Sequence, residues 1–259
     1  MNTVLLFLKG TLMGICDIIP GISGGTIAFI TGIYEKLINA VKGFSPALLK
    51  HLITLNKKEL INDMRSIEPG FLITLLLGIA TAVLIGSRVV TYLLENHEAY
   101  TISFFIGLII ASSTMMFDDI RNHDFKHFAF GILGLSAGIS LAFIIPLEIS
   151  PNLPYTFLGG FLGISAMFLP GISGAFILLI MGLYKFILNA LHNPFEYAEY
   201  IVIFVMGAML GAFVISRVIS WLFRKFKCRT LYFLLGLVLG ALSIPVKIVL
   251  SQRLTISET

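Results

Sequence analysis

The chain reads as an all-α polytopic membrane protein: two inverted repeats, each a re-entrant helical hairpin plus two transmembrane helices, joined by one linking transmembrane helix. Three observations predict this. First, 57% of the 259 residues are hydrophobic and the mean hydropathy is +0.96, more apolar surface than a water-soluble domain of this length can bury. Second, the stretch Pro20-Gly21-Ile22-Ser23-Gly24-Gly25-Thr26 breaks an apolar run and returns 150 positions later as Pro170-Gly171-Ile172-Ser173-Gly174. Helix breakers in corresponding places of two halves mark the binding site of repeat-built transporters. Third, loops rich in Lys and Arg alternate with loops that hold none.

Residues 2–19 are expected to be helical, the Pro20 motif to be a break, and 27–41 to be a second, shorter helix. Two full spans need ~20 residues each, and this segment is too short for both. A re-entrant hairpin fits better. Backbone that is not helical at membrane depth persists only when buried in protein or lining a wet cavity, which makes the motif a site candidate. Spans are expected at about 69–94, 99–117 and 127–146, the second hairpin over 155–190, and further spans at about 198–223 and 230–250. One transmembrane domain over 1–259 results, with repeat one about 1–120, the linking helix about 127–146 and repeat two about 150–250.

The repeat extends past the hairpins at an offset of 129. Gly78 pairs with Gly207, Ser87-Arg88-Val89 with Ser216-Arg217-Val218, Thr101 with Thr230, and Gly107 with Gly236. The difference between 150 and 129 is 21 residues, accommodated by the polar 42–68 loop. That loop holds Lys42, Lys50, Lys57, Lys58 and Arg65, the 118–126 loop holds Arg121 and Lys126, and 224–229 holds Arg224, Lys225, Lys227 and Arg229. The loops 95–98, 147–154 and 191–197 hold no Lys or Arg. With both breaks returning the chain to the face it came from, every basic loop and the N-terminus fall on the cytoplasmic side. Re-entrant hairpins and thin full spans satisfy this count alike. A single odd helix between two like units makes them inverted.

Arg88 and Arg217 lie inside apolar spans at equivalent positions. An intramembrane arginine faces a cavity or a partner, and its planar fork suits phosphate. Snorkelling to a headgroup region is the alternative, since both sit near helix ends. The motifs offer backbone N–H groups, the hydroxyls of Ser23, Thr26 and Ser173, and the start of a half-helix, all suited to an anion. Glycine would serve a plain tight turn as well, but the repeated serine points to a ligand. The substrate-binding set expected is Ser23, Gly24, Gly25, Thr26, Ser173, Gly174, Arg88 and Arg217. Asp17, three residues before Pro20, has Met167 as its counterpart. An unpaired carboxylate in an apolar setting is costly. It is therefore read either as a coupling or gating group, together with Pro20 and Pro170, or as a local cap or the ion-pair partner of an arginine. Glu35 and Lys185 correspond to each other near the hairpin ends and are read as solvated or structural.

Other classes are excluded or disfavoured. The net charge of +4 is spread over membrane-flanking loops, so no nucleic-acid surface is expected. Cys16 and Cys228 form no disulfide framework, and the five histidines show no metal spacing, so neither metal nor cofactor is expected. The N-terminus lacks a basic n-region and reads as mature chain rather than signal peptide. No Walker motif appears, and the spacings Gly134/Gly138, Gly207/Gly211 and Gly236/Gly240 read as helix packing.

The run Met13-Gly14-Ile15-Cys16-Asp17-Ile18-Ile19-Pro20-Gly21-Ile22-Ser23-Gly24-Gly25-Thr26, ending in Gly32-Ile33-Tyr34-Glu35, resembles the signature of the PopT-type polyprenyl-phosphate transporters, a prokaryotic family formerly known only as a membrane domain of unknown function. The second motif and the overall length resemble it too. The resemblance implies a non-enzymatic flippase that returns undecaprenyl phosphate, the lipid carrier of cell-wall precursors, from the outer to the inner leaflet of the cytoplasmic membrane. It places Asp17, Ser23, Gly24, Gly25 and Thr26 in the functional core. The second motif departs from the first, with Ala175 and Phe176 in place of Gly25 and Thr26. The Ser-Gly-Gly-Thr tip is thus expected to be the dominant phosphate contact. The partners expected are the lipid phosphate and the bilayer, with a proton or cation as candidate coupling ion and the oligomeric state open. An intramembrane polyprenyl-phosphate phosphatase and a transporter of a small soluble anion are the alternatives.

Overall fold

The computed structural model describes residues 2–19, 22–44, 48, 51, 54, 57–118, 120, 124–144 and 150–257. Among them every regular element is helical. Helix α1 (Thr3–Ile18) opens on Asn2, whose side chain accepts from the Val4 N–H, and stops where Ile19 turns extended. Two short helices follow, α2 (Gly24–Ile30) and α3 (Tyr34–Gly43). The single helix expected over 27–41 is therefore two. Its break lies at Gly32, whose φ of +73° is left-handed and closes the short helix in a way a β-carbon resists.

The polar 42–68 stretch contains α4 (Lys57–Ile67), and the chain then enters α5 (Pro69–Thr81) with proline at the first position. A π-helical turn, Ala82–Gly86, leads directly into α6 (Ser87–Asp118). Next come α7 (Phe125–Leu141), α8 (Leu153–Met167), α9 (Gly174–Ile180), α10 (Tyr184–His192), α11 (Ala198–Ala241) and α12 (Ser243–Ser257). The loops expected at 95–98 and 224–229 are not loops. The chain stays helical through both, broken only at His97 (φ −141°) and Phe226 (φ −138°). Glu, Lys and Arg are good helix formers, so charged residues there do not by themselves end a helix.

Among the described residues, three helical stretches are long and apolar enough to cross a membrane: Pro69–Gly86, Tyr92–Asp118 and Ala198–Leu250. The pair Gly174–Ile180 and Tyr184–Leu191, bent by 113°, makes a fourth if counted as one span. Phe125–Leu141 and Leu153–Met167 are apolar but shorter. This is a membrane protein of three to four apolar spans by length and composition.

The elements recur at the offsets seen in the sequence. Gly182 (φ +69°) follows Gly32 by 150 positions, and α9 and α10 begin 150 positions after α2 and α3. The break at Phe226 follows that at His97 by 129, as the start of α11 follows that of α5. Packing recurs with them. A β-carbon on Gly10 would strike the Leu75 carbonyl and one on Gly160 the Phe204 carbonyl, so α1 lies on α5 as α8 lies on α11, backbone against backbone. The linking helix α7 packs on the second arm of α11 by the same device, Gly134 against the Phe233 carbonyl.

The halves differ in burial. Ile27, Phe29, Tyr34 and Ile38 of the first hairpin share one core with Ile219, Phe223 and Val238 of α11. No residue of α9 is fully buried, and the second hairpin contributes Met181, Leu183 and Ile187 to a small cluster of its own.

Candidate functional site

The two motifs meet. Thr26, 1% exposed, accepts a hydrogen bond at its Oγ1 from the Gly171 N–H at 2.8 Å. Tyr34, 3% exposed, donates its hydroxyl to the Phe168 carbonyl at 2.6 Å. A β-carbon on Gly25 would stand 2.9 Å from the Met167 carbonyl oxygen. One side of the first hairpin therefore seats directly on the approach to the second motif. Pro20 and Gly21 lie outside the described residues; Pro170 is buried at the other tip.

The Gly24, Gly25 and Thr26 N–H groups of the first motif are engaged. Asp17 Oδ1 accepts from the Gly24 N–H at 2.7 Å, and Ser23 Oγ accepts from the Gly25 N–H at 3.2 Å as the N-cap of α2. The Thr26 N–H bonds the Ser23 carbonyl at 2.9 Å. Asp17 thus fills the capping role weighed for it. The second motif is unlike the first. Ser173 is the N-cap of α9 but caps nothing, and among the described residues the Gly174 and Ala175 N–H groups have no hydrogen-bond partner. In this conformation the Gly24 and Gly25 N–H groups are spent, whereas those of their equivalents Gly174 and Ala175 are not.

Those residues line open space. A cavity of about 270 Å³ is lined by Asp17, Ile18, Ser173, Ala175, Leu179 and Tyr184, among others. A neighbouring one of about 350 Å³ shares Asp17, Ser173 and Ala175 and adds Gly174, Gly163 and Phe204. One carboxylate, one unpartnered hydroxyl and two N–H groups converge there within apolar walls. This is the make-up of a small anion site with an acid at its edge.

The arginines are elsewhere. Arg217 donates to the Phe213 carbonyl of its own helix at 3.0 Å, stacks 3.4 Å from the Phe213 ring centroid, and reaches the Lys42 carbonyl at 3.5 Å. It closes the far end of the first hairpin, where Lys42 Nζ donates to Ser220 Oγ and Ser220 in turn donates to Asn39 Oδ1, at 3.2 and 3.1 Å. Arg88 is exposed on α6, just past the π-helical turn. Neither arginine lines the cavities at the tips.

A comparison with known families matches residues 13–258 to one described as undecaprenyl phosphate translocase-like. The chain belongs to that family. A protein of Vibrio cholerae named polyprenyl-phosphate transporter is 38% identical over 242 residues, covering 93% of this chain and 77% of the relative. One of Staphylococcus aureus with the same name is 30% identical over 253 residues, covering 91% of this chain and 83% of the relative. No solved structure matches.

For a member of the undecaprenyl phosphate translocase-like family, two further features bear on the site. An apolar cavity of about 410 Å³ lies between α7 and the two arms of α11, with Leu169 at its base and Arg229 as its one charged residue. And both short helices have their terminal carbonyl capped by the preceding long helix: Lys9 Nζ donates to the Thr31 carbonyl at 2.6 Å, Tyr155 Oη to the Met181 carbonyl at 2.9 Å. Thr31 and Met181 are 150 positions apart. The sequence signal for this cap is Lys9 itself, a lone lysine two turns into an apolar helix. Among the described residues no group of three His, Cys, Asp or Glu side chains could hold a metal ion.

Proposed function

We propose that this protein carries undecaprenyl phosphate across the cytoplasmic membrane, from the outer leaflet to the inner, by alternating access between two inverted repeats. The observation that carries the reading is the pair of motif tips in contact, with unpartnered donors of the second tip and the Asp17 carboxylate opening into one cavity. The family and its two named relatives supply the substrate class.

In this reading Ser173, Gly174 and Ala175 receive the phosphate first, while Ser23, Gly24, Gly25 and Thr26 shape the opposing wall. The isoprenoid tail stays at the lipid-facing apolar surface. A phosphate beside the Asp17 carboxylate brings two like charges together, which a shared proton or cation relieves. Asp17 is accordingly the coupling residue. The hairpins are re-entrant, and the helix from Ala198 to Leu250 serves as two spans. Straight, its 53 residues would reach about 80 Å, against a hydrocarbon core of about 30 Å.

The test is leaflet-resolved translocation of undecaprenyl phosphate in proteoliposomes containing the purified protein. Protein-dependent loss of the lipid phosphate from one leaflet, with no inorganic phosphate released, is the expected result. Release of inorganic phosphate would make the protein a phosphatase. Uptake of a small anion without lipid exchange would make it a solute carrier.

A further inference from the structure

The cavity at the tips and the closed contact between the tips are built from equivalent residues. Ile18, Ala175 and Tyr184 line the cavity; shifted by 150 they become Phe168, Gly25 and Tyr34, which form the closed contact. Tyr34 reaches the Phe168 carbonyl, whereas Tyr184, 36% exposed, shares an open cavity with Ile18, the residue equivalent to Phe168. One end of the pseudo-symmetric pair is shut and the other stands open.

The same holds at the outer ends of the hairpins. Glu35 of α3 pairs with Lys227, just past the Phe226 break, at 2.9 Å. The equivalent of Glu35 is Lys185, at an offset of 150, and that of Lys227 is Glu98, at 129, just past the His97 break. The charges are exchanged, so the two positions stay complementary in sign. Arg217, bonded to the Lys42 carbonyl, has its equivalent in Arg88, and Lys42 in His192. Yet Lys185 and Arg88 are exposed, and among the described residues neither makes an ion pair or hydrogen bond.

We infer that Lys185 with Glu98, Arg88 with the His192 carbonyl, and Tyr184 with the Ile18 carbonyl form a second gate. It closes when the gate of Glu35–Lys227, Arg217–Lys42 and Tyr34–Phe168 opens. The inference rests on the transporter reading and names the residues that perform its alternation. Closing α10 onto the first half would eliminate the cavity at Asp17 and Ser173, so the two gates are mutually exclusive around one site. Lys42, Arg217 and Lys227 all gather at the shut end, which the Lys and Arg distribution assigns to the cytoplasm. The structure is then the outward-open state, receptive to a lipid phosphate from the outer leaflet.

The experiment uses two double variants with Cys16→Ala and Cys228→Ser in the background, Glu35→Cys with Lys227→Cys and Glu98→Cys with Lys185→Cys. A short reversible bis-thiosulfonate reagent bridges each pair, since a Glu–Lys pair need not bring the Cα atoms within the ~7 Å that a disulfide allows. Both pairs should cross-link, each cross-link should stop undecaprenyl phosphate translocation in proteoliposomes, and reduction should restore the earlier rate. Undecaprenyl phosphate should shift the ratio of the two cross-links. In parallel, Lys185→Glu should raise the yield of the 35–227 cross-link and slow transport at least several-fold, and adding Glu98→Lys should reverse both. If active protein never cross-links at 98–185, or Glu98→Lys fails to rescue Lys185→Glu, the second gate is wrong while the transporter reading stands. If the wild-type protein moves no undecaprenyl phosphate, the transporter reading itself fails.

Discussion

Gly25→Ala probes the closed contact with a single methyl group. The new β-carbon would sit 2.9 Å from the Met167 carbonyl oxygen, where ordinary contact begins at about 3.4 Å. The obstacle is backbone, so the two tips must separate by roughly half an ångström. Overpacking of this kind costs about 1–3 kcal/mol. That cost arises only when this end is shut, so it acts on the equilibrium between states. At ~1.4 kcal/mol per factor of ten, closure becomes about five- to 150-fold less favourable. Alanine also favours the helix by roughly 0.5–1 kcal/mol over glycine, in whichever state, so thermal stability should hold or rise. The readout is the cross-linking yield of Glu35→Cys with Lys227→Cys, with and without Gly25→Ala, beside a melting curve. A reduced yield at undiminished stability is expected. An unchanged yield would refute the claim that the tips seal against each other at this glycine. The mirror position already carries Ala175, so the second gate closes less tightly, and Ala175→Gly should favour it.

Three further perturbations separate architecture from ligand binding. Ser23→Ala removes the cap on the Gly25 N–H and should lower stability by about 1 kcal/mol, whereas Ser173→Ala removes a hydroxyl that caps nothing and should weaken undecaprenyl phosphate binding with little change in melting temperature. Asp17→Asn keeps an oxygen for the Gly24 N–H but discards the charge; the fold should persist while transport loses its response to an imposed proton or cation gradient, and Asp17→Ala should in addition cost about 1–2 kcal/mol in a denaturant titration. Gly134→Val drives a branched side chain into the Phe233 carbonyl and should detach α7 from α11, seen as loss of monodisperse protein on gel filtration in detergent.

The sequence carried the repeat and both helix breaks, because these are local: proline and glycine punctuate the chain wherever it goes. It carried the family through the long first motif. It did not carry the break at Gly32, since a single glycine in an apolar helix is ordinarily tolerated. Nor did it carry which donors are spent. Asp17 meets Gly24 only because α1 and α2 fold back on each other, and Thr26 meets Gly171 only across 145 positions. The arginines show the limit most clearly. Their recurrence in both halves signals a shared role, but a gate residue and a phosphate ligand recur alike. The structure sets Arg217 against a carbonyl at the hairpin end rather than at the tips. Glu35 and Lys185 read in isolation as solvated or structural; Glu35 pairs with Lys227, and the partner proposed for Lys185, Glu98, is matched only at the other offset.

The most direct measurement is an electron cryo-microscopy structure of the protein in nanodiscs with undecaprenyl phosphate. The account predicts phosphate density in the cavity between Asp17 and Ser173, within hydrogen-bonding distance of the Ser173 hydroxyl and the Gly174 N–H. Phosphate held instead at Arg229 beside the cavity of about 410 Å³, with the tips unoccupied, would contradict it.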